Sequence, residues 1–130
     1  ETPWGVLDYL FIDMPPGTGD AYLTVASEIK PDNVLLVTSQ SKLAVQDTIK
    51  SKIMFDKLKI PIIGLVDNMS YSIYPNSDEK FFEFPSINLE NEIGLKVLGS
   101  IPRTKDLANF NPNKLSTFFE PLYNELIKVT

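Results

Sequence analysis

Cysteine and histidine are both absent from this chain of 130 residues. Without cysteine there is no disulfide framework, and without either residue the chain alone cannot build a zinc site or a histidine-based catalytic triad. A chain that lacks thiols and shows no targeting features fits an intracellular setting. We therefore expect the protein in the cytoplasm, with an organelle as the alternative.

Long apolar stretches and an excess of positive charge are missing as well. The longest apolar stretches, such as Leu7–Ile12 and Val34–Val37, are far shorter than the roughly 20 residues that a membrane helix needs. The 12 basic residues are outnumbered by 17 acidic residues, which gives a formal net charge of -5. Because an acidic surface repels phosphate backbones, we expect neither a membrane span nor generic nucleic-acid binding.

What is present is the composition of one packed domain over residues 1–130. Hydrophobic residues make up 43% of the chain and charged residues 22%, close to the averages for globular proteins. Short apolar strands are predicted at 7–12, 34–37, 61–66 and 97–101, and helical patterns at 21–29, 41–58, 88–93 and from about 119 onwards. Since the strands are apolar on both faces and alternate with helices, the sequence predicts an α/β fold with a parallel sheet that helices cover on both sides.

Proline and polar residues predict where the regular elements stop. Pro102 is expected to end the fourth strand, and Pro121 is expected to be tolerated only near the start of the last helix. Asp20 is expected to cap the first helix. The segment 70–86 is polar, aromatic and interrupted by proline, so we expect little regular structure there. Its phenylalanines are predicted to pack on the domain or across a dimer rather than form a binding surface for a client protein: Phe81, Phe82 and Phe84.

Polar residues follow three of the four predicted strands: Asp13, 38–40 and 67–68. In open α/β sheets, ligands bind at the carboxyl ends of the strands. An apolar strand that ends in aspartate is how P-loop NTPases place a carboxylate near Mg²⁺, usually through a water. Asp13 is the candidate, although on this pattern alone a turn residue or helix cap is the commoner reading.

The stretch 13–20, Asp-Met-Pro-Pro-Gly-Thr-Gly-Asp, resembles the DxPPGxGD motif of the Mrp/ApbC family. These proteins are deviant-Walker P-loop ATPases that carry iron–sulfur clusters. The resemblance continues through nearly the whole chain: 38–47 resembles the family's TxQxxAxxD segment, 67–71 its ENMSY and 98–102 its LGxIP. It implies a partial, doubly wound P-loop NTPase sheet of the SIMIBI type, with ATP and magnesium as cofactors.

The resemblance also implies roles for single residues. Asp13 is expected to hold magnesium through water and to act in catalysis. The loop that follows is expected to act as a switch that senses the γ-phosphate, with Gly17 and Asp20 in catalytic roles and Pro15 and Pro16 beside the nucleotide. Asn68 is expected to read adenine through its amide, with a turn cap as the alternative. The chain at Pro102 and Arg103 is expected to run past the adenine. For Arg103, a solvated side chain without this role is equally favoured.

Two departures from the family pattern limit these expectations. Nothing in the chain resembles the GKGGVGKS loop whose backbone N–H groups and lysines hold the phosphates. Because that loop lies upstream of the Asp13 strand in the family, the chain is expected to be a fragment, an excised domain or a truncated relative. The family's CPxC cluster site corresponds to 74–77, where Tyr74 and Ser77 stand in place of the two cysteines and cannot replace thiolate ligands.

Three functions are consistent with these observations. The leading hypothesis is a carrier or assembly factor for iron–sulfur clusters that binds and hydrolyses ATP, with this chain inactive alone. The second is a nucleotide-switched partner-binding protein of the MinD type that carries no cluster, which the missing cysteines favour. The third is a non-enzymatic remnant. The expected partners are a nucleotide, a second copy of the chain, and client apoproteins or cluster-assembly proteins.

Overall fold

The computed structural model describes residues 3–14, 19–74, 77, 79–83, 85–110 and 112–130. Strands and helices alternate along most of this range, as predicted. The elements are α1 Asp20–Ile29, β1 Val34–Thr38, α2 Lys42–Leu58, β2 Ile62–Ile73, β3 Lys80–Phe81, α3 Leu89–Ile93, β4 Val97–Arg103, α4 Lys105–Ala108 and α5 Pro112–Val129. None of the described helices combines the length with the apolar character that crossing a membrane requires.

The sheet is built around β2, which pairs in parallel with β1 on one side and with β4 on the other. The far end of β2 extends beyond β1 and pairs antiparallel with the short strand β3, and Ser72 is paired with both β3 and β4. Parallel neighbours need a crossover connection, and α2 supplies the one between β1 and β2. The carboxyl ends of β1, β2 and β4 therefore point to the same edge of the sheet.

Apolar side chains cover both faces of the sheet, which confirms the predicted α/β class. On one face, Leu36 of β1 and Leu65 of β2 are buried with residues of α1, α2 and α3, among them Phe55 at 1% exposed. On the other face, Val66 of β2 is buried with β4 and with Leu122 of α5. Alternate residues of β2 thus face opposite layers of helices, the pattern that a buried parallel strand requires.

The predicted first strand, Leu7–Ile12, is not formed. These residues have no regular structure, and their apolar side chains are exposed, with Phe11 at 76%. A cleft of about 1140 Å³ separates them from β1, and no described strand pairs with the free edge of β1. An apolar β-forming sequence becomes a strand only when a neighbouring backbone accepts and donates its hydrogen bonds, and that partner is lacking here.

Pro102 does not end β4, which continues through it to Arg103. Proline is excluded from a strand when its missing N–H faces a partner. Among the described residues β4 pairs only with β2, and the register of that pair shifts between Asn68 and Ser72, opposite the proline. The edge position and the irregular register together explain why proline is tolerated.

Pro121 lies inside α5 rather than near its start, because the helix begins at Pro112. The prediction of a helix from about residue 119 was therefore wrong by two turns. Proline in a helix interior removes one hydrogen bond and crowds the carbonyl four residues before it. Burial of Leu122 against β4 holds α5 in place in spite of this defect.

The segment 70–86, predicted to carry little regular structure, begins with a β-hairpin. Ser72 pairs with Phe81 and Ile73 with Lys80, and we refer to the described residues of the range 70–83 as the hairpin. Phe81 is half-buried with its ring 4.5 Å from that of Tyr74. Phe82 is 61% exposed, so it does not pack on the domain, and packing across a dimer stays a prediction. Phe84 lies outside the described residues.

Candidate functional site

The carboxyl ends of the three parallel strands meet where sequence analysis placed a ligand. Thr38 at the end of β1 is the register partner of Asp67 in β2, and Asn68 is the register partner of Ile101 in β4. Arg103 ends β4 at the same edge. The structure thus brings Asp67, Asn68 and the end of β4 together, as expected from the common direction of parallel strands.

Asn68 is half-buried at an irregular point of β2. Met69, the next residue, adopts a left-handed backbone with φ of 53°, and its N–H donates to Asn68 Oδ1 over 3.0 Å. An amide oxygen has two lone pairs and an amide nitrogen carries two hydrogens. Asn68 can therefore serve as a turn cap through one lone pair and still offer an acceptor and two donors to a ligand.

Beside Asn68 lies a buried polar cluster formed by Thr38, Gln40 and Asp67. Thr38 is 3% exposed and Asp67 is 6% exposed. Gln40 Nε2 donates to Asp67 Oδ2 over 2.7 Å, and Gln40 Oε1 accepts from the N–H of Ile87 over 2.7 Å. Thr38 Oγ1 and Asp67 Oδ1 have no hydrogen-bond partner within the described part of the chain. Burial raises the pKa of the Asp67 carboxyl, and the hydrogen bond from Gln40 opposes that rise.

Sequence analysis noted Thr38, Gln40 and Asp67 as polar strand ends but assigned none of them a role. The available signal was the position of two of them in the TxQ segment and of Asp67 directly before Asn68. What the sequence did not indicate was that Gln40 reaches both Asp67 and Ile87, because those contacts span 27 and 47 residues.

Arg103 is exposed and bound to the hairpin. Its Nη1 donates to Glu83 Oε2 over 3.1 Å, and Glu83 Oε1 accepts from the Ser72 hydroxyl over 3.1 Å. Pro102, by contrast, is fully buried. A role for Pro102 beside a nucleotide would therefore be to shape the backbone next to Arg103, whose guanidinium remains accessible from solvent.

The structure describes only part of the segment 13–20, which was predicted to hold magnesium and to act as a switch. Asp13 is exposed and lines the cleft beside β1. Asp20 is the first residue of α1 rather than its cap, which is Gly19 with no side-chain hydrogen bond. Pro15, Pro16 and Gly17 lie outside the described residues.

Few side chains in the described ranges are suited to bind a metal ion. Within the described ranges, no group of three or more acidic, histidine or cysteine side chains is placed to hold a metal ion. A single carboxylate such as Asp13 fits magnesium only in the manner magnesium prefers, with waters and phosphate oxygens completing its shell. Tyr74 stacks on Phe81 and Ser77 Oγ accepts from the N–H of Glu79, so neither offers a soft ligand.

Comparison with known proteins gives consistent matches. The family model described as NUBPL iron-transfer P-loop NTPase matches residues 1–124. An iron-sulfur cluster carrier protein of Aquifex aeolicus is 38% identical over 111 residues, which cover 83% of this chain and 30% of the relative. The iron-sulfur protein required for NADH dehydrogenase, mitochondrial, of Arabidopsis thaliana is 39% identical over 102 residues, which cover 76% of this chain and 33% of the relative.

Solved structures agree on the fold. The nucleotide-binding protein of Archaeoglobus fulgidus in complex with ADP superimposes with a TM-score of 0.70 at 36% identity, over 82% of this chain and 45% of that one. The cell division ATPase MinD of Pyrococcus furiosus gives a TM-score of 0.72 at 24% identity, over 95% of this chain and 53% of that one, and shows likeness of fold alone.

The chain spans about a third of the length of these curated relatives, 30% and 33% in the two cases given. The matched part nevertheless takes in every described element up to α5. From its parallel sheet, the polar residues at the strand ends and the match over residues 1–124, the chain belongs to the NUBPL iron-transfer family of P-loop NTPases.

Proposed function

We propose that this chain supplies the base-recognition edge of an ATP-binding protein that carries or assembles iron–sulfur clusters. The observation that carries the proposal is Asn68. It lies half-buried within the central strand, next to Asp67 and so level with the carboxyl end of β1, and its hydrogen bond with Met69 uses one lone pair of its amide oxygen. An amide with both functions matches the edge of adenine, which offers an amino donor beside a ring-nitrogen acceptor.

The phosphate end of the site would form elsewhere in the protein. Asp13, exposed beside the cleft, would hold magnesium through water, and magnesium would neutralise the phosphate charge during hydrolysis. Gly17 and Asp20 would act with it in the switch loop, and Pro15 and Pro16 would fix that loop beside the nucleotide. Arg103 would approach the base only by loosening its ion pair with Glu83.

The cluster would be cargo rather than a resident group of this chain. Its ligands would come from outside these residues, since Tyr74 and Ser77 cannot act as thiolates. This substitution is what favours the second candidate, a MinD-like protein whose nucleotide cycle controls partner binding without a cluster. A homodimer, transfer to client apoproteins, and residence in the cytoplasm or an organelle belong to the first proposal and are supported by family membership.

The test is to replace Asn68 in the full-length gene product and titrate ATP and GTP by calorimetry. Asn68→Ala removes one donor and one acceptor, each worth about 0.5–1.5 kcal/mol net, so the affinity for ATP should fall by roughly five- to one-hundred-fold. The affinity for GTP should change less. Asn91→Ala, an exposed asparagine of α3, is the matched control and should leave both affinities unchanged.

A companion variant separates base recognition from magnesium placement. Asp13→Asn should lower turnover more than it lowers ATP affinity, because it leaves the adenine contact intact. If Asn68→Ala binds ATP as tightly as the unmodified protein does, Asn68 is a turn cap and the proposed adenine contact is wrong.

A further inference from the structure

Gln40 uses both ends of its side chain on partners far away in the sequence. Its Nε2 donates to the Asp67 carboxylate and its Oε1 accepts from the N–H of Ile87, each over 2.7 Å. Exchanging the two amide atoms would set a donor against an N–H and an oxygen against a carboxylate, so the orientation is fixed by both partners. Gln40 therefore connects the end of β1 to two other segments at once.

The first of these segments is the middle of β2. Asp67 is buried, and among the described residues Gln40 makes the only side-chain hydrogen bond to its carboxyl group, because Oδ1 has no partner. A buried carboxyl group that loses its last partner becomes costly to keep buried. Loss of Gln40 should therefore turn the Asp67 side chain toward solvent and displace the peptide that joins it to Asn68.

The second segment is the return of the chain from the hairpin to α3. Ile87 immediately precedes Asn88, whose side chain caps that helix. The hairpin itself is bound to the end of β4 through Ser72, Glu83 and Arg103. The backbone of β2 joins Asn68 to the start of the hairpin. Gln40 adds a second link, from Asp67 beside Asn68 to the return from the hairpin.

We propose that Gln40 is a positioning residue that couples nucleotide binding at Asn68 to the hairpin and its return segment. The proposal rests on the proposed function, because it takes Asn68 as the contact to the base. A nucleotide that fixes Asn68 also fixes Asp67, and through Gln40 it holds the N–H of Ile87. By thermodynamic reciprocity, a partner that holds the hairpin raises the affinity for ATP by the same factor.

The test uses one substitution that removes the hydrogen bond between Gln40 and Asp67 and a second that restores it. Gln40→Glu sets two carboxyl groups against each other where a hydrogen bond of 2.7 Å now lies. The double variant Gln40→Glu/Asp67→Asn restores the hydrogen bond between positions 40 and 67 with donor and acceptor exchanged. In both variants a side-chain oxygen at position 40 can still accept from the N–H of Ile87. Gln46→Glu is the matched control, since it makes the same change at an exposed position of α2.

Two measurements on the full-length gene product report on the coupling. We expect Gln40→Glu to weaken ATP binding by about tenfold and to reduce the preference for ATP over GTP. The double variant should bind ATP with an affinity within about twofold of that of the unmodified protein. Gln46→Glu should bind ATP as the unmodified protein does. Amide hydrogen exchange read by NMR at Ile87 should slow on addition of ATP in the unmodified protein and the double variant, and should not slow in Gln40→Glu.

The outcomes separate the two proposals. An unmodified protein that fails to bind ATP overturns the proposed function and this coupling with it. If ATP binds and depends on Asn68 but leaves the exchange of Ile87 unchanged, the coupling alone is wrong. If the double variant stays as weak as Gln40→Glu although both fold, Gln40 acts through general stability and not through its hydrogen bonds.

Discussion

At the scale of single residues, Asp67 is where burial and charge conflict most directly. Its carboxyl group is 6% exposed, accepts one hydrogen bond from Gln40 and leaves Oδ1 without a described partner. Removing a charge from water is costly unless hydrogen bonds replace the lost hydration. A carboxyl group at this position therefore lowers stability in its ionised form, and a binding site at the strand ends gives a reason to keep it.

The pKa of Asp67 predicts how stability depends on pH. Burial raises this pKa in the folded chain, so the folded state binds the proton more tightly than the unfolded state does. The contribution of Asp67 is then most favourable below the ordinary carboxyl pKa and is lost as the pH rises toward the raised value. Relative to the unmodified chain, Asp67→Asn should become progressively more stable over that interval and level off above it.

Urea unfolding at a series of pH values measures this difference. Asp32→Asn, an exposed aspartate before β1, is the control for loss of one negative charge. A stability difference for Asp67→Asn that does not vary with pH, or that falls as the pH rises, would show that burial does not control this carboxyl group.

At the scale of elements, the sequence predicted those whose signals are local. The apolar residues of β1 and the helical spacing of α2 identify both elements without knowledge of their neighbours. Leu7–Ile12 has the same apolar pattern, but the strand predicted there is not formed. A strand also needs a neighbouring strand, which its own sequence does not specify. The hairpin was missed for the converse reason, since β3 has two residues and is defined by its pairing with Ser72 and Ile73.

The candidate site divides in the same way. Arg103 lies at the end of β4, as predicted. Asn68 was predicted to follow a strand that ends at residue 66, but β2 continues through it to Ile73. The polar cluster was not foreseen as a unit, since Gln40 is brought to Asp67 and Ile87 only by the packing of distant segments. Motif resemblance can name such residues, but their contacts follow from tertiary structure.

Pro121 offers a test at this scale, because it interrupts the hydrogen bonding of α5. Pro121→Ala restores an N–H to the helix interior and relieves crowding, and should stabilise the chain by up to about 3 kcal/mol. Pro112→Ala, at the first residue of the same helix, should change stability little because proline is well tolerated there. Equal effects of both substitutions on the midpoint of urea unfolding would contradict this account of α5.

At the scale of the whole molecule, ligand chemistry is limited by composition. The chain contains neither cysteine nor histidine, and iron–sulfur clusters are held by thiolates, with histidine replacing some of them in certain centres. Anaerobic reconstitution of this chain should therefore give no stoichiometric cluster. The measurement is the charge-transfer absorption of the purified, desalted chain.

A chain in which Tyr74→Cys and Ser77→Cys restore the spacing of the family's cysteine pair is the informative comparison. These residues lie within the hairpin and are exposed, Tyr74 to 49%. A cluster in the unmodified chain would contradict the composition argument, whereas a cluster only in the double variant would show that the hairpin retains a suitable geometry for ligands.

The central position of β2 also determines the order in which the chain can fold. Its pairings with β1 and β4 each join residues about 30 positions apart in the chain, so neither forms early through local contacts, and closing such loops costs entropy before any apolar surface is buried. The helix α2 lies within one of these loops and shortens the search by stiffening it. Substitutions of Leu65 or Val66, which face the two cores from β2, should then slow folding, whereas changes in α5 should mainly speed unfolding.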